Sequence, residues 1–120
     1  MNIEVNILLT GNELMNGDII DTNSVMFADQ LSSIGLSINK KVTVADDLII
    51  LRSQIAELSK TAKVLIINGG LGPTIDDLTS QALAQACDVD LQLNAQAHLH
   101  LKHWANKRNT TLNKPNLKQA

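Results

Sequence analysis

The sequence predicts an α/β fold built on a mostly parallel sheet. Three observations predict it. Short apolar, β-branched runs alternate with longer stretches of helical spacing. The last of these runs, "KVLIIN", is apolar throughout, as in a parallel strand covered on both faces. Each run leads into a polar segment and then a helix, the order expected of parallel strands joined by right-handed crossovers.

The elements follow in order. "EVNILLT" (4–10) is a strand that ends at Gly11. "TNSVMFADQLSSIG" (22–35) spaces Val25, Ala28, Leu31 and Ile34 as a helix does. Asp21 or Thr22 can cap its start, and Gly35 sits where a left-handed residue would end it. "LSINKKVTV" (36–44) alternates more than the other strands, which places it nearer an edge. "DDLIILRSQIAELSK" (46–60) is a helix with Asp46 as N-cap and Leu48, Leu51, Ile55 and Leu58 on its buried face. The apolar strand 63–68 comes next. Thr79 caps a short helix over 79–87, and a further helix spans 94–108. The tail "NTTLNKPNLKQA" carries no element of its own.

Composition narrows the function. The chain has 120 residues and 44 % hydrophobic content, enough for the core of one domain, 1–120. Three strands make a thin sheet, so the expectation is an incomplete domain from a longer parent. Aromatic residues are 2 % of the chain and the net charge is −2, which argues against a nucleic-acid partner. No apolar run approaches the roughly 18 residues of a membrane span, and the N-terminus has no basic lead or cleavage site. A single cysteine, Cys87, excludes an internal disulfide and fits a cytoplasmic setting. It ends a short helix with no base beside it and reads as a packing residue.

Polar residues collect at the exits of the strands. The first strand runs into "TGNELMNGDIIDTNS" (10–24), the second into "ADD" (45–47) and the third into "NGGLGPTIDDLT" (68–79). In open parallel sheets, ligands bind beyond those carboxyl ends, where strand order reverses. Gly69, Gly70 and Gly72 free the main chain to approach a ligand, and their N–H groups can form an anion-binding concavity ahead of a helix N-terminus. Pro73 stiffens the loop. The spacing is neither that of a P-loop nor of a dinucleotide fingerprint. A plain strand-to-helix turn also explains one or two glycines.

The acids carry two readings. Asp76 with Asp77, and Asp46 with Asp47, stand where helices begin, and favourable capping and dipole interactions account for one acid of each pair. Carboxylates on the glycine-loop edge can instead grip paired N–H groups or ribose hydroxyls, or hold a divalent cation against phosphate. Phosphate beside bare carboxylates is repelled, so a phosphate ligand needs a metal or acids that face away. His98, His100 and His103 lie on the last helix with Trp104. No acid or cysteine completes a ligand set there, and they read as solvated or core-edge residues.

"TGNELMNGDIIDTNS", "VTVADD" and "NGGLGPTIDDLT" stand in the order and at the spacing of the molybdopterin-binding, MogA/MoaB-like domain. "GGLGPT-x-DDLT" resembles most the N-terminal domain of CinA-type competence/damage-inducible proteins, and the resemblance extends to the closing "NKPNLKQA". It implies a three-layer α/β/α sandwich, an oligomer, dimer or trimer, and a pocket for a small-molecule ligand, a pterin such as molybdopterin or an ADP-ribose-like nucleotide. It implies binding roles for Thr10, Gly11, Glu13, Asn23, Asn68, Gly69, Gly70, Gly72, Thr74 and Thr79. Asp46 and Asp77 are implied as catalytic acids or as ligands of a divalent metal (Mg, Mn or Co). For CinA-type domains the implied activity is metal-dependent ADP-ribose pyrophosphatase. The alternative is a non-catalytic ligand-binding or oligomerisation module related to molybdenum cofactor biosynthesis proteins. Deamidation of nicotinamide mononucleotide belongs to a separate C-terminal domain of such proteins and is not expected of these residues. Asn12 departs from the family, which commonly has Asp or Ser there.

Overall fold

A computed structural model of the chain describes residues 3–120. Its sheet has three parallel strands, β1 (Val5–Thr10), β2 (Ile38–Val44) and β3 (Val64–Asn68), in the order β2-β1-β3. Helices α1 (Asn12–Met15) and α2 (Asn23–Ser33) join β1 to β2, and α3 (Leu48–Lys60) joins β2 to β3. Then come α4 (Thr79–Ala86), α5 (Ala95–Lys107) and a 3-10 turn at Lys114–Gln119. That turn corrects the reading of the tail as featureless. Asn113 and Asn116 form a reciprocal capping box around it, with Pro115 at its start. No helix among the described residues is long and apolar enough to cross a membrane.

Burial follows from the order of the strands. β1 lies between the other two, and all six of its residues are buried. Side chains alternate along it. Leu8 enters the main core with Val44, Leu51, Ile55, Leu58 and Ala82. Asn6 points to the same side and is fully buried. Its amide donates to the Leu58 carbonyl at 2.9 Å and to the Thr61 hydroxyl at 3.0 Å, tying the strand to the end of α3. Leu51, Ile55 and Leu58 form the expected inner face of α3, each contributing roughly 1.5–3 kcal/mol by burial. Leu48 is only half-buried.

Four further expectations are corrected. β3 is the second edge strand rather than a strand covered on both sides. Val64 is 43 % exposed and the residues after it are half-buried. The N-cap of α3 is Asp47, whose carboxylate accepts from Ile50 N–H at 3.0 Å, because Asp46 is engaged elsewhere. Thr79 is the first residue of α4 rather than its cap, and its hydroxyl donates across the loop instead. Cys87 is exposed at the end of α4 rather than packed, since the helix closes there in turns at Cys87 and Asp88. On α2, Val25 and Ile34 are 60 % and 70 % exposed, and the inner side is instead formed by buried Ser24 with half-buried Phe27 and Leu31. Gly35 takes the left-handed conformation that ends α2, as its sequence position predicts.

Candidate functional site

The chain crosses from β1 outward to β2, then back over β1 to β3. In open parallel sheets such a reversal, here between β1 and β3, is where ligands bind beyond the carboxyl ends of the strands. Leu9 and Asn68 are register partners there, so Thr10 and Gly69 face each other at the rim.

The glycine loop is shaped by that proximity. Gly69 has φ +102°, and a Cβ on it would run into the Thr10 carbonyl oxygen. Gly70 has φ +68°, and its Cβ would meet the Thr79 hydroxyl. Thr79 closes the loop from the other side. Its hydroxyl donates to the Gly69 carbonyl at 2.6 Å, and its N–H donates to the Gly70 carbonyl at 3.2 Å. The two glycines therefore let β3 and α4 lie against the end of β1 without an intervening side chain.

Asp46 joins the first two loops. The buried Thr10 hydroxyl donates to one carboxylate oxygen at 3.0 Å, and Asn12 N–H donates to the other at 3.1 Å. Asp46 N–H in turn donates to the Asn12 side-chain oxygen at 3.0 Å. Asn12 thus completes a reciprocal pair, each side chain accepting from the other residue's main-chain N–H. Gly11 N–H extends the β1–β2 ladder to Val44 at 3.2 Å. Glu13 is exposed, and its carboxylate folds back over Gly11.

Asp77 braces the far side of the glycine loop. One of its oxygens accepts from Thr74 N–H at 2.9 Å and from the Thr74 hydroxyl at 2.7 Å. The Thr74 hydroxyl bond is the main reason its carboxyl lies below the ordinary range. Partial burial works against this, while N–H groups of Thr74 and Gly72 and the charge of Lys118 assist it. Lys118, from the 3-10 turn, donates to the Thr74 carbonyl. Gly72 packs against the same carboxylate, so a Cβ there would lie 2.5 Å from its oxygen.

Asn23, at the start of α2, lies 3.5 Å from the Asn68 side chain, a long contact that brings the first loop to the end of β3. Beside it, Asp21 accepts from Ser24 N–H at 3.0 Å and from the Ser24 hydroxyl. Lys41 approaches Asp21 at 3.7 Å and Ser24 at 3.3 Å. Burial raises the Asp21 carboxyl, but the bonds from Ser24 and the charge of Lys41 outweigh it and leave it lowered. Thr10, Gly11, Asp46, Asn68, Gly69, Gly70 and Thr79 thus meet at the carboxyl ends of the three strands. Asp77, Gly72 and Thr74 form a second knot on the same loop. Asp76 and Ile75 are exposed outside it.

Sequence reading passed over Lys118 and Lys41 as partners of this edge. Period-two alternation in "INKKVTV" was the available signal for Lys41, and the tail motif "NLKQA" was the signal for Lys118.

Among the described residues, no three His, Cys, Asp or Glu side chains come together where they could hold a metal ion. Asp46 has both oxygens engaged by loop donors, and Asp77 has one doubly engaged. The protein's own donors therefore do not fit a metal held by protein alone.

A family model described as "Probable molybdopterin binding domain" matches residues 6–118. The chain belongs to this molybdopterin-binding domain family. Among proteins of similar sequence, the CinA-like protein of Colwellia psychrerythraea is 57 % identical over 117 residues, covering 98 % of this chain and 27 % of that protein. A protein of Shewanella oneidensis named nicotinamide-nucleotide amidohydrolase PncC is 37 % identical over 118 residues, covering 98 % of this chain and 28 % of its own length. The chain spans about a quarter of the length of these curated relatives. The crystal structure of CinA from Thermoplasma acidophilum, described there as of unknown function, superposes with TM-score 0.87 at 25 % identity. It covers 98 % of this chain and 68 % of that one. MoaB of Thermus thermophilus, a molybdopterin biosynthesis enzyme, superposes with TM-score 0.66 at 19 % identity. It covers 97 % of this chain and 69 % of that one. The parallel sheet with flanking helices is thus the α/β fold of the molybdopterin-binding domain family, as the sequence motifs predict.

Proposed function

We propose that this molybdopterin-binding-type domain binds an anionic pterin or adenine-nucleotide ligand at the carboxyl edge of its sheet. One observation carries the reading. At the strand-order reversal, Gly69 lies against the Thr10 carbonyl while Asp46 ties Thr10 to Asn12. This brings the main chains of β1 and β3 together at the rim, flanked by the Thr10 and Thr79 side chains. Such reversals, beyond the carboxyl ends of the strands, are where α/β sheets take their ligands. Asp46 and Asp77 turn oxygens toward their own loops, which lowers the repulsion an anionic ligand would meet. Their role in this reading is to set the loops.

A second reading is metal-dependent hydrolysis of ADP-ribose. Asp77 favours it, since the hydrogen bond from Thr74 holds its carboxyl low and keeps it charged beside the glycine loop. Mg²⁺ commonly binds through one or two carboxylates together with substrate phosphates, so such a metal would arrive with the ligand. Amide hydrolysis of a nicotinamide nucleotide, named for the Shewanella oneidensis relative, is not assigned here, because the chain spans 28 % of that protein.

Calorimetric titration with molybdopterin and with ADP-ribose, each with and without EDTA, tests the first reading. Saturable binding that survives EDTA is expected. Failure of both ligands to saturate at about 1 mM overturns it. Incubation of ADP-ribose with Mg²⁺, Mn²⁺ or Co²⁺ tests the second. Release of AMP by the wild-type chain and its loss in Asp77→Ala is the expected result, and intact ADP-ribose in every mixture overturns it.

A further inference from the structure

The carboxyl edge is rich in acids and has no base of its own. Segments 10–24, 45–47 and 68–79 contain Glu13, Asp18, Asp21, Asp46, Asp47, Asp76 and Asp77, and not one lysine or arginine. An anionic ligand there needs a positive charge delivered from elsewhere in the chain. Among the described residues, Lys41 and Lys118 make side-chain bonds to these loops. Lys41 is matched to Asp21 and Ser24. Lys118 comes from 44 residues beyond Thr74 and sets its ammonium on the Thr74 carbonyl, next to Asp77.

The position of Lys118 is built rather than incidental. The capping box of Asn113 and Asn116 fixes the start of its 3-10 turn, with bonds of 3.0 and 3.1 Å. The far end is tied to the start of α5 by Asn94 N–H donating to the Ala120 carbonyl at 2.8 Å, and Ala120 N–H closes on Leu117 at 3.1 Å. A short turn held at both ends delivers a long side chain with less loss of freedom than a free tail would. An ammonium has three donors. One is on Thr74, and two remain for a ligand.

We propose that Lys118 is the ligand-binding cation of this site, held against Thr74 at the far end of the glycine loop by the C-terminal turn, where it engages the phosphate of an anionic ligand. The proposal rests on the reading that the carboxyl edge binds such a ligand. It solves the charge problem of that edge without a metal.

The test uses the full chain and ADP-ribose as the probe, with affinity measured by calorimetry at about 50 mM and about 500 mM NaCl, where screening differs strongly. Lys118→Met removes the charge and keeps the length, and Lys118→Arg keeps the charge. At low salt, Lys118→Met is expected to weaken ADP-ribose about tenfold or more, the range of a charge-assisted hydrogen bond. It is also expected to flatten the salt dependence, with Lys118→Arg staying close to wild type in both respects. An unchanged affinity in Lys118→Met overturns the proposal and leaves the site reading standing. Equal weakening at both salt concentrations also overturns it, because Lys118 would then only brace the loop. Absence of ADP-ribose binding by the wild-type chain overturns this proposal, and the site reading falls with it only when molybdopterin also fails to bind.

Discussion

The Thr10 hydroxyl donates to the Asp46 carboxylate at 3.0 Å, joining the exit of β1 to the exit of β2. The contact also explains why Asp46 does not cap α3. Its two oxygens are occupied by Thr10 and Asn12, and Asp47 takes the cap. Replacing Asp46 by Ala leaves the buried Thr10 hydroxyl only the long contact to the Ala45 carbonyl at 3.5 Å and frees Asn12 N–H. The expected loss is about 1–3 kcal/mol, read as a lower midpoint in urea at unchanged slope. Asp47→Ala removes only the cap and is expected to lose about 0.5–2 kcal/mol. A double variant whose losses simply add would show that the two acids do separate work.

Gly69 and Gly17 both have positive φ, +102° and +78°. They differ in surroundings. Nothing lies within 4 Å of where a Cβ on Gly17 would stand, whereas one on Gly69 collides with the Thr10 carbonyl. Gly17→Ala is expected to lose about 1–2 kcal/mol, the cost of a left-handed L-residue. Gly69→Ala must also push β3 away from β1, and is expected to lose clearly more than Gly17→Ala. It should weaken ligand binding as well, since the rim moves. Thermal unfolding of the two variants side by side checks the order, and equal midpoints would count against the close approach.

Asn6 was not distinguishable in the sequence from an ordinary strand residue, yet it is fully buried and bonded to Leu58 and Thr61. Asn6→Asp keeps the shape but sets a carboxylate against the Leu58 carbonyl. A loss of about 3 kcal/mol or more is expected at neutral pH. Burial raises the pKa of such an acid, so its folded form gains relative stability as pH falls and the carboxyl is protonated. Urea midpoints measured from pH 7 down to about pH 5 should therefore show the variant closing part of its gap to wild type. A constant gap would count against the burial of this group.

These residues show which parts of the molecule were legible in the sequence. The three strands, the inner face of α3 and the polar exits were readable because period and composition are local signals. The cap of α3 was misplaced because two adjacent aspartates satisfy the same local rule, and only Thr10, 36 residues from Asp46, decides between them. Thr79 was misread for the same reason, since its hydroxyl answers to Gly69 across the loop. The 3-10 turn had a local signal in Asn113, Pro115 and Asn116, which the reading of the tail passed over. The apolar pattern of β3 suggested cover on both faces, but its place at the edge of the sheet depends on strand order, which no single segment encodes.

Asp77 links the acid stability of the chain to the glycine loop. Its carboxyl is lowered from 3.8, mainly by the Thr74 hydroxyl. The folded form therefore holds the charged state more tightly than the unfolded chain does. A carboxyl lowered on folding contributes stability that is present above the unfolded value of 3.8 and is lost as pH falls through the lower folded value. Thr74→Val removes the hydroxyl donor and keeps the β-branched shape, so the Asp77 carboxyl should rise toward its ordinary value. Two measurements check this. The chemical shift of the Asp77 carboxyl carbon, followed by NMR through acid titration, should move to a higher midpoint in Thr74→Val. Stability of Thr74→Val should also fall less steeply than wild type below about pH 4, because less of it depends on that charge. An unmoved NMR midpoint would mean that Thr74 does not hold Asp77, and that the loop is set by the glycines and Thr79 alone.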